Sequence, residues 1–220
     1  MSKFLQILLI FLLIFSISVN IFQYIKATRS ELHHVVDVLD GDTILIENSR
    51  RVRLAGVEAP EKGLCGSKES AELLKSLIGD RLVKIVPIIT DSYGRDVASI
   101  YLGNKYINQE IIASGWAGYN SQEIPERETV LKLHQDAMKS GKGIYGEICT
   151  QIVNPVNPKC NIKGSIGSKG TKIYFFPGCS SYQVSKVQLY LGEQWFCSEK
   201  EAQVAGYIKS TNCYNKLFKY

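Results

Sequence analysis

The chain has 220 residues, with 26 Lys and Arg against 21 Asp and Glu, and a formal charge of +5. Hydrophobic residues make up 45% and charged residues 21%, the balance of a folded globular protein. That balance excludes a mostly disordered chain, a collagen-like repeat and a polytopic membrane protein, and the length suits one sizeable domain with a small second one at most.

The charge is unevenly spread. Residues 1–25 carry one Lys and no acid, whereas residues 153–220 carry nine Lys, no Arg and three Glu. The basic surplus therefore sits at the C-terminal end. It reads either as a solvated Lys-rich surface or as a module that meets an anionic polymer or nucleic acid, which Lys side chains alone would hold loosely and in a salt-sensitive way.

Phe4 to Ile25 is a run of 22 residues with no charged side chain, roughly 33 Å long as a helix and enough to span a bilayer core. It reads either as an uncleaved transmembrane anchor or as a signal peptide with a small-x-small cleavage site at Ser16-Ile17-Ser18. The apolar continuation Val19–Ile25 favours the anchor over residues 1–25. Cleavage would place the remainder outside the cytoplasm; the nearly balanced flanking charge specifies an anchor's orientation poorly, and the same side is expected for it. Residues 26–33 are polar and read as a linker; His33 and His34 at its end read as solvated side chains.

Val35 to Ile46 reads as two strands around a turn at Asp40-Gly41. Arg51–Val57 alternates basic and apolar residues and predicts a third strand. A loop follows at Ala59-Pro60 and Gly63–Gly66. Ser67 is placed to cap a helix with Ala71, Leu74 and Ile78 on one face, ended by Gly79. Arg81–Ile89 and Val97–Leu102 predict two more strands, joined by a turn at Tyr93-Gly94. Ile107, Ile111 and Ile112 mark a short helix stopped by Gly115. Pro125 suits the first turn of a last helix that carries Val130, Leu133 and Ala137 inward and leaves His134 on its surface. Five strands with short helices between and after them fit a small barrel with packed helices over residues 34–152.

Residues 153–159, with Pro155 and Pro158, read as a second linker. Residues 160–220 then form a small basic α+β module. Lys172–Phe176 predicts a strand, and Ser198-Glu-Lys-Glu201 is a capping box opening a short helix. The cysteines follow the same division. Cys65 and Cys149 lie in the first domain, and Cys160, Cys179, Cys197 and Cys213 in the tail. In an exported chain this favours one Cys65–Cys149 bridge and two bridges within the tail. Three tail connectivities are open, and a zinc site built from the four tail cysteines is the alternative.

Three segments concentrate the chemistry: Val38-Leu-Asp-Gly-Asp-Thr-Ile44, Arg51-Val-Arg-Leu-Ala-Gly-Val-Glu-Ala-Pro-Glu61 and Asp91-Ser-Tyr-Gly-Arg-Asp96. Carboxylates at Asp42 and Glu58 supply the oxygen ligands a hard divalent cation needs. Arg53 and Arg95 can share the charge that builds on a phosphate during hydrolysis. Glu61 can take a proton from an attacking water.

With these residues in order, the chain resembles the thermonuclease (staphylococcal nuclease-like) family over about residues 34–150. The runs D-G-D-T, R-V-R-L-A-G-V-E-A-P-E and D-S-Y-G-R-D-V-A-S-I-Y, with N-x-x-I-I-x-x-G-W-A after them, carry the resemblance as a set. It implies a mainly β fold, an OB-fold five-stranded barrel with flanking helices, and a Ca2+-dependent phosphodiesterase acting on DNA and RNA to leave 3′-phosphate ends. Asp42 and Glu58 match the metal carboxylates, and the Ala59 carbonyl matches a further ligand. Arg53, Glu61 and Arg95 match the catalytic residues. Asp40 falls beside the metal site, and Tyr93 and Tyr119 match aromatics that contact nucleotide. The second metal carboxylate is usually Asp, so Glu58 is a departure of one methylene. The Cys65 and Cys149 positions fit secreted relatives that carry this bridge. The tail resembles a small Cys-containing module appended to bacterial nucleases. The chain is expected to act as a monomer. The rival reading is an OB-type module that binds nucleic acid without cutting it.

Overall fold

The structure is a computed structural model that describes residues 10–21 and 32–213. Residues 10–21 form a helix with its apolar side chains exposed. Ser18 and Asn20 bond back to the carbonyls of Ile14 and Ser16, so the helix satisfies these polar groups itself. Among the described residues no helix is long and apolar enough to cross a membrane. Both ends of the run Phe4–Ile25, and linker residues 26–31, lie outside the described residues.

The first strands are β1 (Leu32–Val38), β2 (Thr43–Ile46), β3 (Arg50–Leu54) and the short β4 (Val57–Glu58). The stretch expected as one strand, Arg51–Val57, is thus two. Gly56 at φ +75° turns the chain between them, a conformation that suits glycine. Helix α1 (Ser67–Ile78) follows, then β5 (Leu82–Thr90), β6 (Asp96–Leu102), β7 (Lys105–Tyr106), α2 (Ile107–Ser114), β8 (Gly118–Tyr119), α3 (Arg127–Lys139) and β9 (Thr150–Gln151). Ser67 is the first helical residue of α1 and not its cap. Gly66 takes the cap position at φ +85°, hard against Ile144, where a Cβ would collide. Pro125 likewise stands just before the cap of α3, which is Glu126.

Strands β1, β2, β3, β5 and β6 close into a five-stranded barrel. β1 pairs antiparallel with β2 and β5, β2 with β3, and β5 with β6. The seam is parallel: Arg53 of β3 sits opposite Val97 of β6, and Leu54 opposite Ala98. Pro87 lies where the β5–β6 register shifts, a place that tolerates its missing donor. Period-two alternation sends Val52 and Leu54 inward and leaves Arg51 and Arg53 on the other face. The core joins these with Ile44, Ile46, Val83 and Ile100 of the barrel, Leu74 and Ile78 of α1, Ile107 and Ile111 of α2 and Val130 of α3. Each such side chain contributes about 1.5–3 kcal/mol on burial. Asn108 is the one polar side chain of α2 taken fully inside. It accepts from Ile100 N and donates to Ala55 and Ala98 carbonyls, which locks α2 onto the end of the seam.

The C-terminal region holds β10 (Ile162–Ile166), β11 (Lys172–Phe175), β12 (Val187–Gln188), β13 (Trp195–Phe196), α4 (Glu199–Val204) and β14 (Ile208–Lys209). Four strands form a sheet in the order β13-β10-β11-β14, with β11 and β14 parallel. Ser198 caps α4 by accepting from Glu201 N, and the Glu201 carboxylate accepts from Cys197 N. Lys163 is not a surface charge. It is 1% exposed, its ammonium donates to the Tyr182 and Ser185 carbonyls, and it lies 4.3 Å from the Tyr182 ring centre.

A core this small, built around Ile162, Tyr174, Phe196 and Tyr207, needs covalent help. Cys160–Cys197 and Cys179–Cys213 supply it, and Cys65–Cys149 ties the first domain. All four tail sulfurs are consumed in these bridges, which removes the zinc alternative. The two regions are joined beyond the chain itself: β12 pairs antiparallel with β9, Leu189 N donates to Cys149 O, and the Trp195 indole donates to Gln151. Replacing both Cys65 and Cys149 by Ala is expected to lower the unfolding free energy by about 4.5 kcal/mol on the loop-entropy argument for this span. Denaturant titration of the oxidised protein and the double variant checks it.

Candidate active site

The Asp40-Gly41-Asp42 turn between β1 and β2 is pressed against α1. A side chain on Gly41 would collide with Ser70 and with the Ala59 Cβ, so only glycine lets the turn sit this deep. Asp40 accepts from Asp42 N across the turn and fixes its shape.

Asp42 is buried, at 3% exposure. One carboxylate oxygen accepts from Thr43 Oγ1 at 2.9 Å and from Arg53 Nη1 at 2.7 Å; the other accepts from Ala59 N at 3.0 Å. Burial pushes its pKa up to about 7, against the pull of the Arg53 guanidinium and with a further push from Asp40. The carboxylate is thus under-neutralised by the protein alone. Arg53 also donates to Glu58 Oε2 at 2.9 Å, so its guanidinium stands between the two carboxylates.

Arg95 enters from the turn between β5 and β6. Asp91 anchors it, accepting from Arg95 Nε at 2.8 Å, and the other Asp91 oxygen accepts from the Tyr93 and Arg95 main-chain amides. These bonds, with the main-chain amide of Arg95 strongest, hold the Asp91 pKa below the usual carboxylate range. Tyr93 is 82% exposed, with the Arg95 guanidinium 5.2 Å from its ring centre. The anchoring role of Asp91 was not singled out in the sequence, although its spacing of four from Arg95 around a Gly turn is a signal for it.

A cleft of about 250 Å3 gathers Asp40, Asp42, Arg53, Ala59, Glu61, Tyr93 and Arg95. Of the residues expected at the site, Glu58 and Tyr119 stand apart: both line a neighbouring groove on the other side of the Ala59–Glu61 turn. Glu61 is exposed and borders both spaces. In charge and donor type the set suits a hard cation, because Asp40, Asp42, Glu58 and Glu61 outnumber Arg53 and Arg95, and Asp91 already faces Arg95. Among the described residues no three acidic, His or Cys side chains converge as a ready-made ligand cluster.

Comparison with known proteins places most of the barrel in a family. The family model described as "Staphylococcal nuclease homologue" matches residues 51–147. Residues 51–147 are a staphylococcal-nuclease-like domain. An "Uncharacterized endonuclease" of Escherichia coli is 29% identical over 134 residues, covering 59% of this chain and 84% of that one. One of the same description from Haemophilus influenzae is 28% identical over 144 residues, covering 63% and 78%. The "Probable staphylococcal-like nuclease CAN2" of rice (Oryza sativa subsp. japonica) is 29% identical over 104 residues, 47% of this chain and 28% of that one. The matched stretch begins after β2. Asp40 and Asp42 lie before the matched staphylococcal-nuclease-like stretch and are set beside it by the β2–β3 ladder, in which Thr43 faces Arg53.

His34 is exposed as expected and His33 is partly exposed, whereas His134 departs from its expected surface place. His33 and His34 bond to Glu47 and Asp80 at 2.6 and 2.8 Å. His134 is half-buried, 3.3 Å from the Tyr145 hydroxyl, and desolvation lowers its pKa from the ordinary 6.5. The unfolded chain therefore takes up a proton at His134 before the folded one does, and stability falls as pH drops below 6.5. His134→Gln is expected to flatten that decline, read as the thermal midpoint at a series of pH values down to 5. Gly41→Ala is expected to cost about 1–3 kcal/mol by overpacking against Ser70, checked by denaturant titration.

Proposed function

We propose that the chain is an exported, Ca2+-dependent nuclease that hydrolyses phosphodiester bonds of DNA and RNA. The observation that carries this reading is the convergence of Arg53, Arg95 and Glu61 on one cleft beside the buried Asp42. Arg53 and Arg95 are the cations that meet the phosphate, and their planar forks suit its oxygens. As charge grows on those oxygens in the transition state, both guanidinia stabilise it. Asp91 keeps Arg95 aimed, so little ordering is left for the moment of reaction. Glu61, exposed at the edge of the cleft, accepts the proton of the attacking water. The 5′-oxygen leaves, and a 3′-phosphate end remains.

Asp42, Glu58 and the Ala59 carbonyl are the groups that would hold the cation. When bound, Ca2+ supplies charge neutralisation at the phosphate and completes that of Asp42. Contacts of this kind address phosphate, so little base preference is expected from the cleft itself. Export is supported by the pairing of all six cysteines, which belongs to an oxidising compartment.

Digestion of single-stranded DNA in Ca2+ and in EGTA tests the reading. We expect cleavage that needs Ca2+, with kcat reduced about 10²–10⁴-fold in Glu61→Gln, the range for loss of a general base. Arg95→Ala is expected to lose about 10²–10³-fold, as for a lost charge-stabilising donor. A folded protein that binds DNA but leaves it intact with Ca2+, Mg2+ and Mn2+ would overturn the enzyme reading in favour of a binding module.

A further inference from the structure

The groove beside the phosphate cleft has Glu58, Ala59, Pro60 and Glu61 along one edge, and its aromatic walls have no part in the chemistry described above. It encloses about 350 Å3 and shares Ala59, Pro60 and Glu61 with the phosphate cleft, so the two spaces are neighbours across this stretch. That volume lies within the ~300–1,000 Å3 of ligand pockets.

Its walls are aromatic. Tyr119 of β8, His134 of α3, Tyr145 and Tyr190 form an edge-to-face series, with ring centres 6.4, 5.7 and 5.9 Å apart in turn. All four rings are half-buried. Their polar ends are already engaged. The Tyr119 hydroxyl donates to Gln122 O, Tyr145 shares a hydrogen bond with His134 Nδ1, and Tyr190 accepts from Gln188 Nε2. The three phenols therefore offer a ligand chiefly their carbon surface and π-faces.

The charge of the lining narrows the ligand further. Its ionisable groups of full charge are Glu58 and Glu61, and neither Lys nor Arg contributes. Burial pushes the Tyr190 phenol up to about 12, and lowers the pKa of His134. A phosphate is repelled here and drawn to Arg53 and Arg95 next door. A flat, uncharged ring is accepted.

Tyr190 and Leu191 come from the C-terminal region, not from the barrel. They are held in place by the β9–β12 ladder, by Leu189 N on Cys149 O at 2.8 Å, and by Trp195 on Gln151 at 2.7 Å. The wall they form is a fixed part of the molecule.

We propose that this groove seats a nucleobase of the strand being cut, next to the phosphate held by the arginines, and that Tyr190 gives the C-terminal region a direct part in holding substrate. The proposal rests on the nuclease reading, since it takes the groove's ligand from the same strand. Aromatic faces grip any base, so the subsite adds affinity without imposing sequence. Its effect belongs in KM, because the base is held alike before and during reaction.

The test uses the full oxidised chain and short single-stranded oligonucleotides. Tyr190→Leu keeps bulk without the flat face, and Tyr190→Phe keeps the ring. We expect KM to rise on the order of ten-fold in Tyr190→Leu, the scale of one base-on-aromatic stack, with kcat little changed and Tyr190→Phe close to the parent. An abasic series, with each base removed in turn, adds the decisive arm. At one position the abasic substrate should raise the parent's KM and abolish the difference between parent and Tyr190→Leu. Equal KM for parent and Tyr190→Leu, or a loss in Tyr190→Leu that is the same for every abasic substrate, overturns the proposal. Fluorescence anisotropy of a labelled oligonucleotide on the Glu61→Gln background separates the two readings. Weaker binding in Tyr190→Leu without any cleavage by the parent would sink the nuclease and keep the groove. Cleavage by the parent with binding unmoved by Tyr190→Leu would sink the groove and keep the nuclease.

Discussion

The site depends on the parallel seam between β3 and β6. Arg53 and Arg95 are far apart in the chain, and no local turn could bring them together. The barrel does so by setting Arg53 opposite Val97, two residues past Arg95. Ala55 N donates to Ala98 O at 2.8 Å just beyond the last pair, and Asn108 clamps the same point from α2. A buried amide with all its bonds made is a strong constraint, because any slip of the seam would leave donors and acceptors unpaired in the core. The spacing of the two guanidinia is thereby inherited from hydrogen bonds that touch neither.

Against that rigid frame the acids are held under tension of another kind. Asp42 is buried with more negative charge around it than one arginine balances. Such a carboxylate costs the fold stability as pH rises from the ordinary 3.8 towards about 7, where the loss is complete. Arg53 standing between Asp42 and Glu58 moderates this, and it lets the barrel close around a cluster of acids.

The strands were legible as short apolar runs bounded by turn residues, and in β3 the period-two alternation is a local signal: Arg53 lies out of the core for the same reason that Val52 and Leu54 lie in it. The resemblance carried the catalytic constellation, and the structure gathers Asp40, Asp42, Arg53, Ala59, Glu61, Tyr93 and Arg95 around one cleft. What could not be read were features set by distant contacts. Ser67 looked like a cap by residue type, but the crowding of Ile144 gives that place to glycine. His134 looked like a surface residue of α3, and only Tyr119 and Tyr145, arriving from other elements, bury it. Tyr190 carried no signal at all, since its neighbours come from the β9–β12 ladder between two regions that the sequence divides with a linker. The tail connectivity was open for the same reason: spacing alone does not choose among three pairings.

The order of the three disulfides along the chain has a consequence for proteolysis. The spans Cys160–Cys197 and Cys179–Cys213 interleave, so one cut anywhere between Cys160 and Cys213 leaves the fragments covalently joined. Cys65–Cys149 protects its own span in the same way. Between Cys65 and Cys213 the interval from Cys149 to Cys160 is left uncovered, and it carries Val153 and Val156 at 73% and 91% exposure. Between Cys65 and Cys213, a single cut leaves two covalently unlinked chains only there. The product would be two chains held by the β9–β12 ladder and the contacts around Tyr190, able to part only as fast as those yield.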